Sequence, residues 1–205
     1  MRRLINLLLG LNKLMKLLFV TQNKHKAEEI QSILPNHIEI ITLKDLGDRS
    51  DIPETELTLE GNARLKAEYG VNIHHVDSFS DDTGLEIEAL SGCPGVFSAR
   101  YAGEGCCFED NVKKVLSEMK NIPHRQARFR TVIALFLNGQ IHYFEGIVNG
   151  KIAEEPYGEK GFGYDPIFIP DGYNCSFAQM DFNLKNQISH RGVAIQKMVE
   201  FLRLQ

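Results

Sequence analysis

Residues 127–148 constrain the fold more than any other part of this chain. Ala127 to Leu137 and Ile141 to Val148 are both rich in β-branched and aromatic residues, and Asn138-Gly139 marks the turn between them. Asn-Gly readily takes the two left-handed backbone positions of a tight two-residue turn, so the stretch predicts a hairpin whose long strands form the centre of a sheet.

The rest of the chain alternates strand-like and helix-like segments. Leu17 to Thr21 is a short apolar run, followed by Ala27, Ile30, Ile33 and Leu34 at helical spacing, so the chain opens as strand, polar loop and helix. Ile38 to Thr42 reads as a second strand, and Leu57 to Tyr69 as a second helix after a polar stretch containing Gly47, Asp48, Asp51 and Pro53. Val76 to Ser80 and Leu85 to Ala89 predict two strand segments separated by Asp81-Asp82-Thr83-Gly84. Ser91 to Gly105 is loop-like, Glu109 to Met119 a helix, and Gly158 to Pro170 a glycine-rich loop entering a short strand. His190 to Leu202 closes the chain as an amphipathic helix with Ala194, Met198, Phe201 and Leu202 on one face. No repeat, linker or low-complexity segment interrupts this order, so residues 16–205 are expected to form one mixed α/β unit. Their number suffices for a sizeable core.

Residues 1–15 are expected to be an extension ahead of that unit. Arg2-Arg3 and the apolar run Leu4 to Leu11 superficially resemble a signal peptide, but Lys13 and Lys16 follow at once and no small-residue cleavage site intervenes. An upstream start before Met15 and a signal peptide are the two readings, with a membrane span excluded by length. The four cysteines show no metal-ligand spacing and read as reduced thiols of a cytoplasmic protein. The formal net charge of -4 argues against a dedicated nucleic-acid binder, which needs a basic excess to displace counterions. A small anionic substrate needs only a local basic cluster or a metal ion.

Four segments carry candidate chemistry. Thr21-Gln22-Asn23-Lys24-His25-Lys26 joins a strand to a helix start, where free N–H groups and two lysines suit a triphosphate tail; the alternative is a solvated turn. Asp81-Asp82-Thr83-Gly84 is expected at the end of an apolar strand, where open α/β sheets place ligand-handling residues. Adjacent carboxylates there repel each other unless compensated, and a Mg²⁺ ion shared with phosphate oxygens would compensate them, with Glu54 as a further ligand; a turn cap is the alternative. Gly161-Phe162-Gly163-Tyr164-Asp165-Pro166 offers aromatic faces for stacking a base, with Asp165 to bond base or ribose, or else is a tight aromatic turn. Ser189-His190-Arg191-Gly192, with Lys185 before it, starts the last helix and carries donors for a 6-keto oxygen, with Ser189 also suited to cap the helix.

Each segment alone is ambiguous, but their order is not. T-x-N-x-x-K (Thr21, Asn23, Lys26), E-T-x-x-T (Glu54, Thr55, Thr58) with Asn62-Ala63 and Lys66, D-D-T-G-L (Asp81 to Leu85), P-G-V-F-S-A-R-Y (Pro94 to Tyr101), G-F-G-Y-D-P (Gly161 to Pro166) and K-N-x-I-S-H-R (Lys185 to Arg191) together resemble the inosine triphosphate pyrophosphatase family over residues 16–205. The resemblance implies an elongated α/β fold with a long mixed β-sheet, flanking helices and two lobes around a central substrate cleft, in a homodimer. It implies hydrolysis of ITP, dITP or XTP to the monophosphate and pyrophosphate. By the same resemblance Thr21 to Lys26 hold the triphosphate, Asp82 is the general base, and Glu54 and Asp82 hold Mg²⁺ with Asp81 in support. Thr83, Lys66 and Ser98 are implied to contact phosphate or sugar, and Phe162, Gly163, Tyr164, Asp165, Lys185, His190 and Arg191 to form the base-recognition shell. Three departures stand out: the N-terminal extension, Gly61 where an acidic residue often precedes the asparagine, and Gln22 in place of the usual glycine. Gly61 costs about 1 kcal/mol of helix propensity relative to alanine. Two rival readings are a nucleotide sensor without catalysis and a pyrophosphatase for modified pyrimidines or standard dNTPs.

Overall fold

The computed structural model describes residues 14–205, so the expected extension lies outside the described residues except for its last two positions. Strand β1 (Met15–Phe19) leads into helix α1 (Lys24–Ile33) and then β2 (Ile38–Thr42), which pairs parallel to β1 with Met15 opposite Ile38. Helix α2 (Leu59–His74), capped by the Thr58 side chain, crosses to β3 (Ser78–Ile87), which runs parallel on the other side of β1. The short β4 (Pro94–Gly95) and α3 (Phe108–Glu118) follow. The expected hairpin is present as β5 (Gln126–Leu137) and β6 (Gln140–Ile152), with Asn138 and Gly139 at φ 51° and 78° in the turn. Strand β7 (Phe168–Pro170), α4 (Phe182–Ile188) and α5 (His190–Leu202) complete the chain. Among the described residues no helix is long and apolar enough to cross a membrane.

The strands form one mixed sheet in the order β2-β1-β3-β5-β6-β7, with β4 paired to β3. The sheet grows from β1 first towards β2 and then, after α2, towards β3. Right-handed crossovers in opposite directions put α1 and α2 on opposite faces and open a crevice at the carboxyl end of β1.

The structure corrects the reading of β3. Val76–Ser80 and Leu85–Ala89 are not two segments around a turn: Ser78–Ile87 is one strand, paired throughout with β5 from Ser78 opposite Phe136 to Ile87 opposite Ala127. Asp81-Asp82-Thr83-Gly84 is therefore mid-strand. What does end nearby is β3's other neighbour: its register with β1 stops at Phe79, and β4 pairs with it from Leu85. These four residues fall where that edge has no partner strand, and Asp82 and Thr83 among them line the crevice.

Strand alternation then divides the core. Phe79 joins an apolar cluster with Phe19, Ile30, Ile133 and Met198, while Leu85 and Ile87 join a second with Phe129, Phe168 and Phe177. Between them, on the same face of β3, stand Asp81 and Thr83. The two clusters are the cores of two lobes, and a polar seam separates them.

Candidate active site

The crevice is a cavity of about 630 Å³, within the roughly 300–1,000 Å³ common for ligand sites. Its near wall is the β1–α1 corner. Thr21 Oγ1 accepts a hydrogen bond from Asn23 N (3.1 Å), and Asn23 caps α1 by accepting from Lys26 N (3.2 Å). Lys26 continues into the seam, where its ammonium lies 3.0 Å from Asp81.

Asp81 and Asp82 do not face each other, because successive strand residues point to opposite sides of a sheet. Asp81 meets Lys26, Thr83 and Arg191 on the α1/α5 face; Asp82 meets Asn62 (3.3 Å) and Lys66 (3.4 Å) on the α2 face. The compensation such a pair needs comes from cations of the protein itself, Lys26 and Arg191 for Asp81 and Lys66 for Asp82. Their titration differs accordingly. Burial opposes ionisation of Asp81, but Lys26 and Arg191 outweigh it and hold its carboxyl below the ordinary range. Burial pushes the Asp82 carboxyl up, although Lys66 and Lys26 pull the other way.

Glu54 reaches the same point from an irregular loop. Its Oε1 lies 2.6 Å from the Lys66 ammonium that also approaches Asp82, so two carboxylates 28 positions apart share one cation. Asn62 and Lys66 present themselves because they lie four apart on the buried face of α2, beside Ala63 and Ala67. Among the described residues no group of three or more acidic, histidine or cysteine side chains converges on one point. Two carboxylates suffice for Mg²⁺, which keeps waters and takes its remaining ligands from phosphate oxygens.

The far end is a buried ion cluster under an aromatic cover. Arg191, only 2% exposed, donates from Nε to Asp81 (3.1 Å), from Nη1 to Glu29 and from Nη2 to Thr83 (3.3 Å). Lys185 donates to Glu29 and Asp165, each at 2.7 Å. The Phe162 ring lies over both cations, 5.1 Å from Lys185 Nζ and 5.5 Å from the Arg191 guanidinium carbon. Two N–H groups of Arg191 and one of Lys185 remain to donate in this arrangement. His190 stacks on Phe129 with its Nδ1 unpaired, and burial, reinforced by Arg191 and Lys185, keeps its ring neutral. The pocket therefore favours a ligand edge rich in acceptors.

The model of the Ham1 family matches residues 17–201, all six of the ordered motifs included. The chain belongs to the Ham1 family. It is 50% identical over 188 residues to a dITP/XTP pyrophosphatase of Christiangramia forsetii, covering 92% of this chain and 99% of that one. It is 52% identical over 188 residues to a dITP/XTP pyrophosphatase of Porphyromonas gingivalis, covering 91% and 97%. Among solved structures, a HAM1 protein from Coxiella burnetii superimposes with a TM-score of 0.86 at 36% identity, covering 93% of this chain and all of that one.

In this Ham1-family chain most of the residues singled out in the sequence line the one cavity: Thr21, Gln22, Asn23 and Lys26 on the near wall, Glu54, Lys66, Asp82, Thr83 and Ser98 around its middle, and Phe162, Gly163, Tyr164, Asp165, Lys185, His190 and Arg191 at the far end. Lys24 and His25 do not. A helical turn rotates each successive residue by a large angle, so Lys24 points to solvent and pairs with Glu28, while His25 packs on the Phe162 ring. Asp81 stands behind the wall as a tether for Lys26 and Arg191. The Ser98 hydroxyl is held by the backbone of the paired β3 and β4, accepting from Leu85 N and donating to Gly95 O. Gln22, the departure from the family's glycine, donates to Asp48 O and Ser50 O of the acidic loop.

Glu29 and Arg100 were not singled out in the sequence. Glu29 had a signal: Lys26, Glu29, Ile30 and Ile33 share one helical stripe, so a carboxylate lay on the buried face of α1. Arg100 had none beyond its place in the P-G-V-F-S-A-R-Y segment.

Proposed function

We propose that this chain hydrolyses non-standard purine nucleoside triphosphates (ITP, dITP and XTP) to the nucleoside monophosphate and pyrophosphate, with Mg²⁺ as cofactor. Such an activity clears these nucleotides from the pool before they enter DNA or RNA. The observation that carries the reading is the meeting of Glu54 and Asp82 at one ammonium beside the β1–α1 corner. That sets a pair of hard oxygen ligands in the same cavity as an anion-binding helix start. The names of the relatives point to the same substrates.

In the proposed reaction the triphosphate lies along Thr21, Asn23 and Lys26, with the base at the far end against Phe162. Asp82, raised by burial and oriented by Asn62, takes a proton from a water molecule, whose oxygen attacks the α-phosphorus while pyrophosphate leaves. Lys26 and Lys66 neutralise charge on the phosphate oxygens. Glu54 and Asp82 would hold Mg²⁺, which when bound supplies further neutralisation of the phosphate charge. At the base end the spare donors of Lys185 and Arg191 meet a 6-keto oxygen, and the 6-amino group of adenine would confront them donor to donor. A homodimer in the cytoplasm acting on a small nucleotide, rather than on nucleic acid or at a membrane, is the setting the family resemblance implies.

A rate panel with ITP, XTP, GTP, ATP and dUTP, read as pyrophosphate released, tests the proposal. Turnover of ITP and XTP should exceed that of the other three. Faster turnover of dUTP or ATP would favour the pyrimidine or standard-nucleotide reading, and no release from any of them the sensor.

A further inference from the structure

Residues 48–56, which carry Glu54, form no helix or strand. At one end Gln22 donates to Asp48 O and Ser50 O, each at 3.3 Å, and at the other Glu56 N donates to Asn62 Oδ1 (3.0 Å). All these ties run to the first lobe. Between them Ile52 packs against Leu18, Val20 and Leu43 of the first lobe, and the polar ties of the loop run through Glu54, to Lys66 from below and to Arg100 from across the cleft.

The two cations hold Glu54 differently. Lys66 contacts carboxylate Oε1, an atom a divalent cation would also claim, so it is a rival of the metal. Arg100 Nη2 donates to the main-chain carbonyl of Glu54 (3.1 Å), which is not part of the carboxylate, and Nη1 approaches Oε2 (3.4 Å). Arg100 is itself anchored: its guanidinium lies 5.5 Å from the Phe97 ring centroid, and the next residue, Tyr101, packs against the second apolar cluster.

The geometry points to Arg100 as a positioning residue. It pins the Glu54 loop to the second lobe through the peptide carbonyl, so that the Glu54 carboxylate stays turned towards Asp82 when a divalent cation displaces Lys66. This rests on the metal pair of the proposed function and adds a residue that neither lysine nor carboxylate can replace, because only a planar guanidinium reaches carbonyl and carboxylate together.

The sign of the effect makes the inference testable. By charge alone, removing a cation beside a metal site should tighten metal binding. If Arg100 positions Glu54, its removal should weaken it. Mn²⁺ binding to the purified chain without nucleotide, followed by electron paramagnetic resonance, should be weakened about tenfold or more in Arg100→Met and in Arg100→Lys, the range typical for partners that orient a metal ligand. Thermal unfolding of the variants should stay close to wild type, since the Arg100 side chain is partly exposed. The Mg²⁺ concentration for half-maximal turnover should rise similarly, with kcat at saturating Mg²⁺ much less affected. Unchanged or tighter Mn²⁺ binding in Arg100→Met, or full retention in Arg100→Lys, would overturn the inference. Wild-type binding that Glu54→Gln leaves intact would instead remove the metal pair, and the inference with it.

Discussion

Asp82, the proposed general base, is buried, which raises its proton affinity, is oriented by the Asn62 amide and has the Lys66 ammonium beside it. Asp82→Asn preserves shape and the Asn62 contact while removing the basic oxygen. Its kcat should fall by about 10²–10⁴-fold, the usual worth of general-base catalysis, with nucleotide affinity retained when measured by equilibrium binding. A kcat within threefold of wild type would reassign the base. The acidic pair was visible in the sequence, but its division of labour was not. Only strand geometry separates Asp81, which braces Lys26 and Arg191, from Asp82, which faces the open cleft. Glu29 is a similar case: residue type suggested solvent, and helical phase, read with Lys26, placed it in the interior.

At the scale of elements, the hairpin, the amphipathic last helix and the opening strand-helix unit were legible because each is a local pattern. The span of β3 was not, since Asp81-Asp82-Thr83-Gly84 interrupts its apolar run and the partners of its polar side chains come from α1, α2 and α5, distant in sequence. Short α4 was also hidden, having too few turns to show a period. The contact between α5 and β6 depends on one residue with no side chain. A methyl group on Gly146 would overlap the main-chain carbonyl oxygen of His190 and crowd Ala194 N. Gly146→Ala should therefore cost about 1–3 kcal/mol, as overpacking does, in urea unfolding. It should also slow turnover, because the displaced helix start carries His190 and Arg191. Wild-type stability would show that α5 can ride up without loss.

For the molecule as a whole, two apolar cores meet along a seam of buried charge, and that seam should govern acid stability. In the folded state Arg191 and Lys185 hold Glu29 below the ordinary carboxylate range against the cost of burial, and Lys26 and Arg191 do the same for Asp81. Their stabilisation is present above about pH 4 and is lost as pH falls below it, because the unfolded chain then takes up protons the folded chain refuses. Asp82 and Asp165, raised by burial, act with the opposite sign above that range, and their contribution is complete by about pH 4. Denaturant unfolding should accordingly show stability declining steeply below about pH 4; a flat or rising profile there would contradict the assignment. The lobes themselves had no boundary in the sequence, since the seam is made of residues scattered from Lys26 to Arg191.

In the proposed reaction this cleft directs water at the α-phosphorus of a bound triphosphate. Hydrolysis of ITP in H₂¹⁸O with Mg²⁺, with both products analysed by mass spectrometry, tests it most directly. One ¹⁸O atom is expected in the inosine monophosphate and none in the pyrophosphate. Label in the pyrophosphate, or release of orthophosphate in its place, would contradict it.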